Sequence, residues 1–271
     1  MKIIVILFSS MLLALPIYGQ NRETDYLSHV LEKMNAIESV TYHCVKKAWE
    51  PGDKEPVYSV PTEIYEHVNP QDTAVGYSFL CASDKEFRQP LWVYDGTVFA
   101  YIEKEEKEVR IDDFTQKSPL PFRVIMPQAF GCMKSILEYV LNTQDSIVLS
   151  LKDEGKDYLM ELSIHTPYQV EFFGKACYMP QNPYIYDPTS IYKIWISKEN
   201  DMPYRYRREM QHSISEGICS DFVYNPSGKG KIVAEDYYPA DYVRRIKGEK
   251  SQKATVDMTG KKAPDWTLTD M

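Results

Sequence analysis

The sequence predicts an α+β fold, in which one large curved antiparallel β-sheet carries helices packed on one of its faces. Many short runs alternate apolar and polar residues with period two, and two segments repeat apolar residues at helical spacing. Most connections between the strand-like runs are short, whereas parallel strands need a crossover of about a dozen or more residues. A helix, a run of strands, a second helix and further strands in this order fit a single sheet with helices on one face.

Two segments predict helices. In the first, Thr24 and Asp25 can cap the N-terminus, and apolar residues recur at helical spacing from residue 26 to residue 37. The second follows a loop that contains three prolines, and its apolar stripe runs from Phe130 to Leu141. We expect this second helix to lie across the sheet as a lid.

The strands are predicted from period-two runs bounded by turn residues. The first is long, residues 39–49, and ends at Pro51-Gly52. A tight hairpin follows, because residues 91–94 and 97–101 flank Asp95-Gly96, the dipeptide that favours a type I′ turn. The other strand-like runs are residues 62–68, 75–82, 108–112, 146–152, 158–165, 168–173, 191–197, 204–211, 217–223 and 232–237.

The N-terminus has the pattern of a secretory signal peptide. Met1 and Lys2 precede an apolar run from Ile3 to Ile17, and the small residue Gly19 stands just before a polar stretch. The run is shorter than the roughly 20 apolar residues that span a bilayer. Residues 1–20 are therefore predicted to be cleaved, which predicts a periplasmic or otherwise exported protein that is soluble after cleavage.

The C-terminal residues resemble the opening of a thioredoxin-like (redoxin) domain, where G-x-x-A-P-D-[FW]-x-L leads into the first strand. The matching residues are Gly260, Ala263, Pro264, Asp265, Trp266 and Leu268. The resemblance implies that residues 260–271 begin such a domain, whose reactive Cys-x-x-Cys would lie downstream of Met271. The polar, basic stretch 242–259 is predicted to be a linker.

The region before that linker resembles the outer-membrane lipoprotein-sorting (LolA-like) family. The resemblance rests on a helix that feeds a long strand, the hairpin from Tyr94 to Thr97, the mid-chain helix and the Trp-Ile-x-Lys-(x)4-Pro-x-Arg stretch from Trp195 to Arg205. It implies that residues 21–241 form an incomplete barrel whose concave face, lidded by helices, binds acyl chains. Residues 177–190 are additional material, and we expect the segment from Cys177 to Tyr192 to form a mobile rim.

Composition and charge argue against a nucleic-acid partner. The chain has 271 residues and a net charge of −8, and its basic residues are scattered. Such a surface repels phosphate backbones. Tyrosine is abundant, with 21 residues, and it suits half-buried strand surfaces and cavities with one wet edge.

The five cysteines do not form a redox or zinc motif. Cys44, Cys81, Cys132, Cys177 and Cys219 are widely spaced, and no Cys-x-x-Cys occurs. In an exported protein these cysteines can be oxidised to disulfides, but the sequence leaves the pairing open. Because each stands among apolar residues, buried and unreactive thiols are the favoured interpretation.

No residue is predicted to be catalytic, and neither a metal nor a cofactor is predicted. The five histidines are not clustered, and the Gly/Lys stretch 227–231 lacks the spacing of a phosphate loop. Aromatic and apolar residues on predicted strands and on the lid helix are instead candidates for the wall of an apolar cavity. These candidates are Trp92, Tyr94, Phe99, Tyr101, Met133, Leu137, Tyr192 and Trp195. The same residue types would equally form a dry core between helix and sheet.

Two functions remain open. In the first, the domain is a non-catalytic exported accessory domain that binds a lipid, another apolar ligand or a protein, next to a redox module. In the second, the activity is thiol–disulfide exchange by that module, and this region only positions it near exported protein substrates. A structural surface domain without a small ligand is a third possibility.

Overall fold

The computed structural model describes residues 15–115 and 122–248, with side chains from residue 22 onward. Two α-helices lie in these ranges, α1 (Leu15–Asn35) and α2 (Ala129–Asn142). A short 3₁₀ helix spans Ala234–Tyr237. The strands are β1 (Ser39–Trp49), β2 (Tyr58–Val68), β3 (Tyr77–Ala82), β4 (Pro90–Tyr94), β5 (Val98–Glu103), β6 (Glu108–Asp113), β7 (Ile147–Asp153), β8 (Asp157–Ile164), β9 (Val170–Phe172), β10 (Ala176–Tyr178), β11 (Ser190–Ser197), β12 (Met202–Met210), β13 (Ser213–Tyr224) and β14 (Val243–Ile246).

Twelve strands form one sheet, in the order β14-β6-β5-β4-β3-β2-β1-β13-β12-β11-β8-β7. All neighbours pair antiparallel except β14 and β6, which are parallel. The end strands β7 and β14 do not pair with each other, so the sheet stays open. The remaining strands, β9 and β10, form a separate hairpin. The predicted α+β fold with one large sheet and helices on one face is confirmed.

The two faces of the sheet are covered differently. The inner face, which corresponds to the predicted concave face, packs against both helices through the larger hydrophobic core. In α1, Leu27, Val30 and Met34 recur at helical spacing and are fully buried. The outer face carries a smaller core, in which Ile232 and Ala234 cover strands β2 to β6. Successive side chains of a strand point to opposite faces of the sheet. In β11, buried and half-buried residues therefore alternate along the whole strand.

Several expectations about the elements were wrong. Residues 232–237 are not a strand, because this segment crosses the outer face and includes the 3₁₀ helix. Residues 243–246, expected within the linker 242–259, form the edge strand β14. The first residues of the additional material 177–190 belong to β10. The first helix begins at Leu15 rather than near Thr24.

Both predicted ends of the chain fall largely outside the described residues. The expected signal peptide, residues 1–20, is described only in the backbone of residues 15–20, and the redoxin-like stretch 260–271 is not described. None of the helices described has the length and apolar character needed to cross a membrane.

Candidate functional site

The eight candidate cavity residues do not converge on one site. Met133, Leu137 and Tyr192 lie in the core between the helices and the inner face. The hydroxyl of Tyr192 donates a hydrogen bond to the carbonyl oxygen of Val170 at 2.8 Å. These three residues therefore pack the interior, as the alternative interpretation of a dry core predicted.

Trp195 lies on the outer face, away from the other seven candidates. It follows Tyr192 by three positions on β11, and an odd separation on a strand reverses the side of the sheet. Its ring stacks under the guanidinium group of Arg205 at 4.0 Å from the ring centroid. Its indole N–H donates to the Glu154 carboxylate at 3.1 Å. The prediction that Trp195 lines the same cavity does not match this placement.

The other four candidates are neighbours on the inner face. Trp92 stands opposite Tyr101, and Tyr94 stands opposite Phe99, across the β4–β5 hairpin. The rings of Trp92 and Tyr101 stack with centroids 6.3 Å apart and an interplanar angle of 7°. The ring of Phe99 meets that of Phe79 on β3 at 6.4 Å.

Two rows of side chains run across the strands from the core to the edge of the sheet. In one row, Trp92 pairs with Tyr101, Tyr101 with Arg110, and Arg110 with Arg245 on β14. Side-chain exposure rises along this row, from half-buried Trp92 to Tyr101, which is 44% exposed. The second row consists of Phe79, Tyr94, Phe99 and Asp112. Phe79 and Tyr94 are buried, Phe99 is half-buried, and Asp112 is charged.

These rows end in an open groove of about 350 Å³ at the sheet edge, which we call the edge groove. Phe99 and Tyr101 provide its aromatic surface, and charged side chains of β6 and β14 form its rim. The groove is lined by Phe99, Tyr101, Glu108, Arg110, Ile111, Asp112, Arg245, Ile246 and Lys247. Residues 177–190, which were expected to form a rim, do not line it.

The charges at the rim are paired with one another. Glu108 accepts hydrogen bonds from Arg110, at 3.2 Å, and from Arg245. These two arginines and the attached hydrogen bonds hold the pKa of Glu108 below its usual value. Lys247 donates to the Asp112 carboxylate at 2.5 Å. The arginine and lysine side chains of these ion pairs are more than half exposed, so they can exchange partners with a polar group at low energetic cost.

Two other clefts open on the surface. One, of about 490 Å³, lies between residues 167–169 and 180–188 and is lined by prolines, tyrosines and amide side chains. The other, of about 630 Å³, lies beside the β11–β12 turn and is lined mainly by polar and charged residues. Neither has the apolar surface of the edge groove, and neither was found from the sequence.

A polar centre beneath the first turn of α2 was also missed by the sequence interpretation. Glu66 of β2 is fully buried, and its carboxylate accepts the backbone N–H groups of Phe130 at 3.0 Å and Gly131 at 3.1 Å. It also accepts the hydroxyl of Tyr42. Burial raises the pKa of Glu66 to about 7. This carboxylate satisfies backbone donors that the start of a helix leaves free, and so it fixes α2 on the sheet.

The five cysteines are all buried free thiols, as the favoured interpretation predicted. Within residues 15–115 and 122–248, no three His, Cys, Asp or Glu side chains are grouped so that they could hold a metal ion.

Comparisons with solved structures return similar folds at low identity. LprF from Mycobacterium bovis is 11% identical over 78% of this chain and 98% of its own, with a TM-score of 0.37. The lipoprotein LppX from Mycobacterium tuberculosis is 9% identical over 77% and 97%, with a TM-score of 0.38. A LolA superfamily protein from Nitrosomonas europaea is 10% identical over 80% and 98%, with a TM-score of 0.28.

The sequence comparisons give no match, either with protein-family models or with curated proteins. The structural likenesses do not assign the chain to a family at these identities and scores. The geometry of the inner face is therefore the basis for a functional proposal.

Proposed function

We propose that this domain is a non-catalytic exported domain that binds an apolar chain, such as the acyl chain of a lipid, in the edge groove. The observation that carries the proposal is the pair of cross-strand rows. Each row spans four strands, and along it aromatic side chains become more exposed and give way to charged side chains toward the sheet edge. An amphipathic ligand has the same order of chemistry along its length.

The apolar chain of the ligand would lie on Phe99 and Tyr101. Removing apolar surface from water contributes roughly 25 cal/mol per Å², and aromatic rings provide much of that surface without losing many rotamers. The volume of about 350 Å³ is at the lower end of the range for small-molecule pockets. It therefore suits one chain or part of one rather than a bulky ligand.

The polar head of the ligand would lie at the rim, among Arg110, Arg245 and Lys247. Each of these cations is paired with a carboxylate, so an anionic head would compete for donors that are already used. The rim therefore orients a polar head more than it selects for negative charge.

Titration with cis-parinaric acid, a fluorescent fatty acid, tests this proposal. Tyr101→Asp removes one aromatic ring of the groove and places a carboxylate where the acyl chain would lie. We expect it to weaken binding by roughly tenfold or more, because covering a charged group with an apolar chain is strongly unfavourable. Tyr58→Asp is the matched control, since Tyr58 is 52% exposed on β2 and does not line the groove. Equal binding by both variants and the parent chain would overturn the proposal, as would no binding at all.

The second candidate function is the positioning of a thioredoxin-like module, and the motif from Gly260 to Leu268 supports it. In a chain that carries such a module, Tyr101→Asp should leave thiol–disulfide reductase activity unchanged while it weakens binding of the fatty acid. Loss of reductase activity in that variant would mean that the two functions are coupled.

Export is part of the proposal and is supported by the signal-like residues 1–20. The intact mass of the protein recovered from an exporting bacterial host would show cleavage near Gly19 or Gln20. An uncleaved N-terminus would contradict this part.

A further inference from the structure

Two of the five cysteines stand directly opposite each other in the sheet. Cys44 of β1 pairs with Cys219 of β13 in the antiparallel register, although 175 positions separate them in the sequence (219 − 44). Both side chains are on the inner face, with Cys44 fully buried and Cys219 4% exposed. The two side chains are close enough that each affects the pKa of the other.

The backbone spacing of the pair fits a disulfide. Residues that face each other across antiparallel strands have Cα atoms about 4.5–5.5 Å apart, and a disulfide needs roughly 4.4–6.8 Å. The Cβ separation of such pairs, about 4.5–5.5 Å, is at or above the roughly 3.5–4.5 Å of a disulfide. Closing the bond therefore requires the two strands to move closer together.

The other three cysteines have no such partner in the part of the chain that is described. Cys81 is on β3, and β2 lies between it and β1. Cys132 is on α2, and Cys177 is on the separate β9–β10 hairpin. The register therefore selects one of the pairings that the sequence left open.

We propose that Cys44 and Cys219 are an oxidation site, at which a disulfide oxidant forms a cross-strand disulfide as the exported chain folds. The thiolate of one cysteine attacks the oxidant's disulfide, which forms a mixed disulfide and releases one thiol. The thiolate of the other cysteine then attacks the cysteine sulfur of this mixed disulfide, which forms the Cys44–Cys219 bond and releases the second thiol of the oxidant. The two protons lost by the cysteines are carried by the two released thiols, and the oxidant takes both electrons.

In the folded sheet the pKa values of the two thiols differ. The neighbouring Cys219 side chain and the ammonium group of Lys46 lower the pKa of Cys44, whereas burial raises the pKa of Cys219 well above its usual value. Because both thiols are buried once the domain has folded, the oxidant must react before the inner face is covered, and either thiolate can then attack first.

The position of the bond gives it a structural consequence. Strands β1 to β6 and β14 lie on one side of the β1–β13 junction, and β13, β12, β11, β8 and β7 lie on the other. A disulfide at this junction joins the two parts of the sheet covalently and closes a long loop of the unfolded chain, which is the case where a cross-link has the largest stabilising effect.

The experiment is to refold the full chain in a buffer of reduced and oxidised glutathione, then alkylate free thiols under denaturing conditions and digest with trypsin. Cleavage after Lys and Arg places each cysteine in its own peptide, so the bond would link peptide 34–46 to peptide 209–229. We expect three alkylated cysteines of the five, this linked pair, and a thermal midpoint roughly 5–15 °C above that of the reduced protein.

Two variants provide the controls. Cys177→Ala should keep the linked peptides, and Cys219→Ala should abolish them and leave all four remaining thiols open to alkylation. Alkylation of all five cysteines in the parent chain after refolding would overturn the proposal. A bond mapped to any other pair, or only mixed disulfides with glutathione, would overturn it as well.

Discussion

The carboxylate of Glu66 on β2 accepts a hydrogen bond from the hydroxyl of Tyr42 on β1, directly beneath the N-terminus of α2. The same carboxylate accepts two backbone N–H groups of that helix. One buried carboxyl group thus joins two neighbouring strands and the helix that covers the inner face.

Replacing Glu66 should weaken the attachment of α2 to the sheet. Glu66→Ala leaves the N–H groups of Phe130 and Gly131 and the hydroxyl of Tyr42 without their acceptor. We expect the free energy of unfolding to fall by about 2–4 kcal/mol, measured by urea denaturation. Glu66→Gln keeps one acceptor oxygen and should lose less. Glu105→Ala, at an exposed turn, is the control; a loss as small as that of the control would contradict the role of Glu66.

The same carboxyl predicts a pH dependence of stability. Because burial raises its pKa from 4.5 to about 7, folded Glu66 keeps a proton between these values that the unfolded chain has already lost. The free energy of unfolding should therefore fall as pH rises from 5 to 7, by at most about 1.4 kcal/mol per pH unit. Glu66→Gln lacks this contribution. Parallel pH profiles for the parent chain and this variant would contradict the prediction.

The buried ion pair between Arg208 and Glu171 should hold the β9–β10 hairpin against β12. Both side chains are 10% exposed, and Arg208 Nε donates to Glu171 Oε2 at 2.8 Å. Arg208→Met or Glu171→Met alone should lower the free energy of unfolding by about 3–5 kcal/mol, because one charge stays buried without its partner. The double variant should lose less than the sum of the single losses.

A double-mutant cycle by urea denaturation measures this coupling. The exposed pair Arg88 and Glu86 is the matched control, and its coupling should be below about 1 kcal/mol. Strict additivity for Arg208 and Glu171 would show that the pair does not act as a unit.

Gly174 should be a position where no side chain is tolerated. It has φ +84°, and a Cβ atom there would lie 2.1 Å from the carbonyl oxygen of Val75. Gly155 has φ +79° but open space around it. Gly155→Ala should therefore lower the free energy of unfolding only through backbone strain, by about 1–2 kcal/mol. Gly174→Ala should lower it by roughly 3–5 kcal/mol. Equal thermal midpoints for the two variants would contradict the close contact.

The fold was predictable because period-two and helical patterns mark local structure directly. The placement of Trp195 was predictable too, since its odd separation from Tyr192 on one strand already sends the two side chains to opposite faces. The sequence could not show which aromatic residues a helix covers. The pairing of β14 with β6 places charged residues beside Phe99 and Tyr101 and so forms the edge groove, and that pairing is a long-range property.

Two elements were misjudged for related reasons. Ile232 and Ala234 alternate with exposed residues because they pack on the outer face, so their period of two does not come from a strand. Strand β14 is rich in arginine, which resembles a linker in composition, but charged residues are common on edge strands because they discourage pairing with other chains.

The measurement that tests the account most directly is quenching of tryptophan fluorescence by a fatty acid that carries bromine on its acyl chain. Trp92 stacks on Tyr101 next to the edge groove, whereas Trp195 lies on the outer face. We predict quenching in the parent chain and in Trp195→Phe, and its loss in Trp92→Phe while cis-parinaric acid still binds. Quenching that survives in Trp92→Phe, or that disappears in Trp195→Phe, would contradict binding in the edge groove.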